Sequence, residues 1–198
     1  MNDHLKTKDN YDKNAKLYQK KFESILPRTN DIKLAFSFIK KNNPKVLEIG
    51  CAYGRDAKEI LKLTNNYIGI DYSKSMISLA KKEKIKTKFV VADALTYKFP
   101  KNRDIIFSFA SLLHSNKEEM IIIFNKINKS LNKNGILFLS LKYGKYKKIY
   151  LKDDYGIRVH YRYTPNEIKK LANNFLIEYK NVHILRGQKW FEMILRKK

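Results

Sequence analysis

The chain has 198 residues, 43% of them hydrophobic and 13% aromatic, which supplies one substantial core and excludes a disordered or disulfide-stapled chain. Lys and Arg number 42 against 19 Asp and Glu, a formal charge of +23 that makes nucleic acid a possible partner. The excess is nearly all lysine, so arginine-type phosphate and base recognition is not specifically indicated, and A/T-rich codon usage would write the same bias. No apolar run is long enough to span a bilayer, and the amino terminus MNDHLKTKDN lacks the apolar core of a signal peptide. The single cysteine, Cys51, forms no intrachain disulfide. The expectation is a soluble, cytoplasmic protein with no membrane partner, a monomer or homodimer.

Tyr11, Ala15, Tyr18 and Phe22 recur at helical spacing, and Ile32, Ala35, Phe36 and Ile39 predict a second helix that stops before Asn43-Pro44. Residues 46–49 read as a strand ending in Gly50, followed after a turn by a helix carrying Ala57, Ile60, Leu61 and Leu63. A second strand, 67–70, ends at Asp71, and Ser73 caps the helix that carries Met76, Leu79 and Ala80. Residues 89–91 form a third strand ending near Asp93, and 105–107 a fourth. Ser115 and Glu118 have the spacing of a capping box, opening a helix that buries Met120, Ile123, Phe124, Ile127 and Leu131. Asn134-Gly135 marks a turn before a fifth strand, 136–141; residues 142–154 read as an extended loop, basic and tyrosine-rich. Thr164, Pro165 and Glu167 open the last helix, and 176–184 with 189–195 predict a closing hairpin.

Alternating helices and short buried strands predict an α/β fold: a Rossmann-like, doubly wound, mostly parallel seven-stranded sheet with a C-terminal antiparallel hairpin. One domain is expected over 1–198, with 1–42 as an N-terminal helical cap or flap and 45–198 as the Rossmann-like core.

Open α/β sheets bind ligands beyond the carboxyl ends of their strands. After the first strand the chain reads Glu48-Ile49-Gly50-Cys51-Ala52-Tyr53-Gly54-Arg55-Asp56, where small residues at 50, 52 and 54 let a ligand approach the backbone. Asp71 is placed to accept from ribose hydroxyls and Asp93 from an adenine amino group. A dinucleotide fingerprint needs glycine where Arg55 stands, and Glu48 opposes a phosphate. An acidic strand end suits instead a cationic, phosphate-free ligand bearing an ammonium or a sulfonium.

The segments VLEIGCAYGRDAKEI (46–60), YIGIDYSKSMISLAKK (67–82), FVVADAL (89–95) and DIIFSFASLLH (104–114) resemble class I S-adenosylmethionine-dependent methyltransferases. The Gly54-Arg55-Asp56 step and ASLLH resemble a small bacterial branch near the tellurite-resistance type. The resemblance implies a methyltransferase with S-adenosyl-L-methionine as cofactor. It places Gly50, Ala52 and Gly54, with Glu48 behind them, around the methionine part of the cofactor. It places Asp71 at the ribose, Met76 on the adenine, and Asp93 with Ala94 at the adenine edge; Tyr72 and Ser108 complete the set. Tyr11 and Tyr18 belong to a segment, YDKNAKLY, that resembles a flap closing over the cofactor. Ala52 stands where the family usually has glycine, so its methyl is expected to crowd the ligand or to demand a negative φ, weakening or shifting binding.

Methyl transfer from a sulfonium is an in-line displacement in which the protein aligns the nucleophile and, where that nucleophile carries a proton, supplies a base. His114 is the candidate, as proton acceptor or substrate orienter; it also reads as a residue that merely precedes the Ser115 cap. His160, Tyr161 and Tyr163 are candidate substrate contacts, or equally a strand packed on the sheet. No metal site is expected. The Asp/Asn/Ser-Pro-Pro-aromatic motif of exocyclic-amine DNA enzymes is missing at Ser108-Phe109-Ala110-Ser111, and Cys51 sits in the wrong loop to be a cytosine nucleophile. A small-molecule acceptor is therefore favoured. The alternatives are an RNA or protein methyltransferase docking through Lys142, Lys145, Lys147 and Lys148 with Tyr143 and Tyr146, and a catalytically silent methyltransferase-like binding module.

Overall fold

Apolar residues alternate between two faces along the central strands, and this period of two sets the layers of the molecule. In the computed structural model, which describes residues 3–198, the elements run α1 (Asp3–Lys13), α2 (Ala15–Glu23), α3 (Thr29–Ser37), β1 (Val46–Ile49), α4 (Ala57–Ile60), β2 (Tyr67–Asp71), α5 (Lys74–Lys82), β3 (Lys88–Val91) and β4 (Arg103–Phe109). They continue with α6 (Lys117–Ser130), β5 (Leu131–Lys142), β6 (Lys147–Asp153), β7 (Gly156–Arg162), α7 (Pro165–Leu171), β8 (Phe175–Leu185) and β9 (Gln188–Lys197). Met1 and Asn2 of the polar amino terminus lie outside the described residues.

Leu47, Ile106, Leu137 and Leu139 face one core, filled by Met120, Ile123, Phe124 and Ile127 of α6 and Ile168 of α7. Val46, Ile105, Phe107, Ile136 and Phe138 face the other, filled from α3, α4 and α5 by Ile32, Ala35, Ala57, Ile60, Ile77 and Ala80. The seven strands lie in the order β3-β2-β1-β4-β5-β9-β8, parallel except where β9 runs antiparallel between β5 and β8. This is the expected mostly parallel sheet with a C-terminal hairpin. Strand order reverses between β1 and β4, so the crevice beyond their carboxyl ends is where such a sheet holds a ligand.

Four local expectations are corrected. Leu131, expected in the helix, opens β5, which runs through the expected Asn134-Gly135 turn. The box opening α6 lies one residue further on, between Asn116 and Glu119, because Ser115 closes the 3-10 turn Leu112–His114 with its backbone N–H on the Leu112 carbonyl. The amino-terminal helix is broken at Asn14 into α1 and α2. Residues 142–154 are no loop: Lys142 completes β5, and β6 pairs antiparallel with β7 in a separate two-stranded sheet. Thr164–Glu167 and Ser73 cap α7 and α5 as expected.

Candidate active site

Just past β1 the backbone turns left-handed three times, at Gly50 (φ 76°), Ala52 (φ 47°) and Gly54 (φ 80°). A side chain at Gly50 would place its Cβ 2.0 Å from Ser111 Oγ, so the loop after β4 closes directly on this glycine. Ala52 adopts the left-handed conformation despite its methyl, which corrects the expectation that alanine here demands a negative φ; the conformation costs roughly 1–2 kcal/mol. In that position its N–H donates to Asp71 Oδ2 at 3.0 Å, while Ser73 N–H donates to Asp71 Oδ1 at 2.8 Å. Burial nevertheless raises the Asp71 carboxyl to about 6. Glu48, buried on β1, accepts from the Tyr67 hydroxyl, and burial followed by the charge of Asp56 pushes it up to about 8. At neutral pH it is mainly protonated. The Tyr72 hydroxyl is buried without a hydrogen-bond partner among the described residues.

These groups border one cavity of about 830 Å³, within the roughly 300–1,000 Å³ of small-molecule sites. It runs from Asp93 past the β1 loop to the α2–α3 connection and the β8–β9 turn. Its cover is built from two distant parts of the chain. On α1, His4 Nε2 lies 2.7 Å from Asp93 Oδ2, and Asp12 accepts from Ser73 Oγ at 2.7 Å and Ser75 N–H at 3.0 Å, at the start of α5. Thr7 Oγ1 accepts the Val159 N–H at 3.0 Å, and the Asn10 and Asn14 side chains donate to the Tyr155 carbonyl, which ties α1 to the β6–β7 hairpin. His114 joins both parts. Its Nδ1 contacts the Val159 carbonyl, which can only accept, so Nδ1 carries the proton and Nε2 accepts from the Tyr11 hydroxyl at 3.1 Å. Burial drives His114 down to about 4, leaving a neutral imidazole.

Glu48, Gly50, Ala52, Asp71, Tyr72 and Met76 all border the cavity, and so do Asp93, Ala94, Tyr11, His114 and His160. The other predicted site residues lie elsewhere. A side chain at Gly54 would point at the Phe89 ring, and Ser108 is buried in β4 with its Oγ accepting from Leu112 N–H at 3.4 Å. Tyr18 packs beneath α1 with its hydroxyl on Asn10 Oδ1 at 2.7 Å. Tyr161 stacks on Tyr146, and Tyr163 donates to the Ser115 carbonyl at 2.7 Å. Strand alternation explains the split: with His160 turned to the cavity, Tyr161 and Tyr163 must face the opposite core. Among the lining residues outside the predicted set are His4, Arg158 and Trp190, with Arg28, Phe109 and Glu192. Lys142, read as part of a docking loop, also lines the cavity; its place at the carboxyl end of β5 was the available signal. No cluster of three or more His, Cys, Asp or Glu among the described residues could hold a metal ion, and no described helix is long and apolar enough to cross a membrane.

Residues 46–135 match the methyltransferase domain family. The ubiquinone biosynthesis O-methyltransferase of Pelagibacter ubique is 33% identical over 114 residues, covering 56% of this chain and 47% of that protein. The chain spans about half the length of the curated relatives it matches. Among solved structures, the Burkholderia thailandensis 1,6-didemethyltoxoflavin-N1-methyltransferase, with 1,6-didemethyltoxoflavin and S-adenosylhomocysteine bound, aligns at TM-score 0.74 and 15% identity over 96% of this chain and 87% of that one. A TehB-like S-adenosylmethionine-dependent methyltransferase from Corynebacterium glutamicum aligns at TM-score 0.72 and 16% identity, over 96% and 98% of the two chains. At such identities the structures share the fold.

Proposed function

We propose that this chain, which carries a class I S-adenosylmethionine-dependent methyltransferase domain, transfers the cofactor's methyl group to a small-molecule acceptor. The observation that carries the reading is the row of acids at consecutive strand ends, Glu48 on β1, Asp71 on β2 and Asp93 just past β3, all bordering one cavity. The residues fit the cofactor by their chemistry. Glu48 ionises against an ammonium and so releases its proton on binding. Asp71, its two oxygens already oriented by backbone N–H groups, keeps lone pairs for ribose hydroxyls. Asp93 and Met76 serve the adenine end, and the unpartnered Tyr72 hydroxyl beside them has a donor to give. When bound, S-adenosylmethionine supplies a methyl group on a positively charged sulfur and departs as a neutral thioether.

The remaining work falls to the cover and to alignment. Tyr11 and His114, linked to each other and to the Val159 carbonyl, join the two parts of the cover, and in this reading residues 1–42 act as the lid of a single domain whose core is 45–198. A neutral His114 with both nitrogens engaged is a weak base, so we assign it to hold the lid and orient Tyr11. A small acceptor is supported by the cavity's volume of about 830 Å³ and by Lys148, which is paired with Asp3 and lies over Tyr150 instead of standing free for a polymer.

The test is to incubate the protein with methyl-labelled S-adenosylmethionine and either a small-molecule panel or total RNA. Label should enter the small-molecule fraction with little change between about 50 and 200 mM salt, where polyelectrolyte contacts lose orders of magnitude. Label entering RNA with steep salt dependence would overturn the small-molecule reading. Cofactor binding with no transfer to any acceptor would favour a silent binding module.

A further inference from the structure

Bases from three parts of the chain meet at the lid end of the cavity: Lys142 closing β5, Arg158 and His160 on β7, and His114 in the turn after β4. Their hydrogen-bonding capacity is only partly used. His160 is 4% exposed, and its Nε2 has no partner among the described residues. Arg158 is 9% exposed; it pairs with Asp153 through Nη2 and lies over the Tyr18 ring, but its buried Nε has no partner. Lys142 makes no ion pair among the described residues, and its Nζ stands 5.7 Å from the centre of the Trp190 ring. Burial and the charges of Arg158 and Arg162 lower the Lys142 amine, with no carboxylate opposing them. Burial, Lys142 and His114 push His160 down to about 3.

The acids of the cavity are occupied elsewhere. Glu48, Asp71 and Asp93 lie at the β1–β3 end, while Glu192, two residues along β9 from Trp190, faces His183 at 3.6 Å and Arg28 at 3.9 Å. A buried donor left without an acceptor costs about 1–3 kcal/mol; Arg158 Nε is one, His160 Nε2 is another in the tautomer that protonates it, and the half-buried Lys142 ammonium lies on the same cavity wall. We propose that this cluster is the anion subsite of the acceptor: the molecule methylated carries a carboxylate, held by Lys142 Nζ, His160 Nε2 and Arg158 Nε, with its apolar body against Trp190 and Phe109. The assignment of the anion to the acceptor rests on the methyltransferase reading; the existence of the subsite does not.

Trp190 is the single tryptophan of the chain, so its fluorescence reports on this end of the cavity alone. The full-length protein, saturated with S-adenosylhomocysteine as verified by calorimetry, is titrated with benzoate and with its neutral isostere benzamide. Benzoate is expected to change the Trp190 signal saturably and to bind about tenfold or more tightly than benzamide, the scale of a charge-assisted hydrogen bond. Lys142→Gln and His160→Gln should each remove most of that preference, Lys142→Arg should keep it, and all three should retain S-adenosylhomocysteine affinity, which also shows that they fold. Equal binding of benzoate and benzamide, or a preference undiminished in both glutamine variants, would overturn the subsite. A benzoate preference in a wild-type protein that binds no S-adenosylhomocysteine would uphold the subsite and overturn the methyltransferase reading.

Discussion

At the β1–β3 end of the cavity the carboxylates have oxygens that the fold has already oriented; at the lid end stand bases, two of which, Arg158 and His160, keep a buried nitrogen without a partner among the described residues. Asp71 takes N–H bonds from Ala52 and Ser73, residues that sit in the turns immediately after β1 and β2. Arg158 and His160 reach their places, next to Lys142 at the end of β5, because α1 ties down the β6–β7 hairpin that carries them. In the proposed reading, the parallel core holds the cofactor, and the side chains where its cover meets β5 hold the acceptor. The two ends should respond differently to substitution, pH and loosening of the cover.

The sharpest division comes from Glu48→Gln, which keeps shape and removes charge at the core end. S-adenosylmethionine affinity measured by calorimetry at pH 8 should fall about thirtyfold, the scale of losing one partner of a buried charge pair, and the proton released on binding at pH 7 should vanish. The same variant has a signature without ligand. Glu48 holds its proton up to about pH 8 in the folded protein against 4.5 ordinarily, so the folded state binds a proton that the unfolded chain has lost. Its contribution to stability therefore falls as pH rises from about 4.5 to 8. The difference in Tm between variant and wild type should grow in the variant's favour across that window; a constant difference would show Glu48 ionised throughout.

A smaller effect is expected at the joint between the two ends. His114→Ala frees the Tyr11 hydroxyl and the Val159 carbonyl, and should lower the rate of methyl transfer about tenfold with little change in S-adenosylhomocysteine affinity, as loosened lids do. Because His114 titrates near 4, the wild-type pH–rate profile should show no inflection near 6.5 that His114→Ala removes. Such an inflection would make His114 the base.

The mildest expectation concerns the far edge of the lid. His4 is raised by its hydrogen bond to Asp93, so the pair's contribution to stability is full below pH 6.5 and is lost as pH rises through the folded value. His4→Ala should lower Tm by a degree or two at pH 6, about what a partly exposed ion pair contributes, and match wild type at pH 9. A gap independent of pH would mean that His4 acts through packing alone.

The same contrast decides what could be read in the sequence. Core strands announce themselves because both faces are buried, so 46–49 stands out as an apolar run and its acid, Glu48, stands out within it. Asp71 and Asp93 were legible as carboxylates at strand ends. The hairpin that completes the cover was not: β6 alternates exposed Lys148, Tyr150 and Lys152 with half-buried Ile149 and Leu151, so its solvent face makes a paired strand look like a basic loop. His4 sits in a polar helix, and nothing local marks it as the partner of Asp93, 89 residues away. Tyr161 and Tyr163 share a segment with His160, and only the phase of β7 assigns them to the opposite core. The Ser115 box missed by one residue because a 3-10 turn, invisible to periodicity, absorbs Ser115 first.

The central claim is that Asp71 and its neighbours hold the nucleoside of S-adenosylmethionine. Calorimetric titration of the full chain with S-adenosylhomocysteine, wild type beside Asp71→Ala, tests it most directly. The expected result is saturable wild-type binding, weakened about a hundredfold in the variant by the loss of a buried, charge-assisted hydrogen-bonding pair. Equal binding by both proteins, or none by a folded wild type, would contradict it.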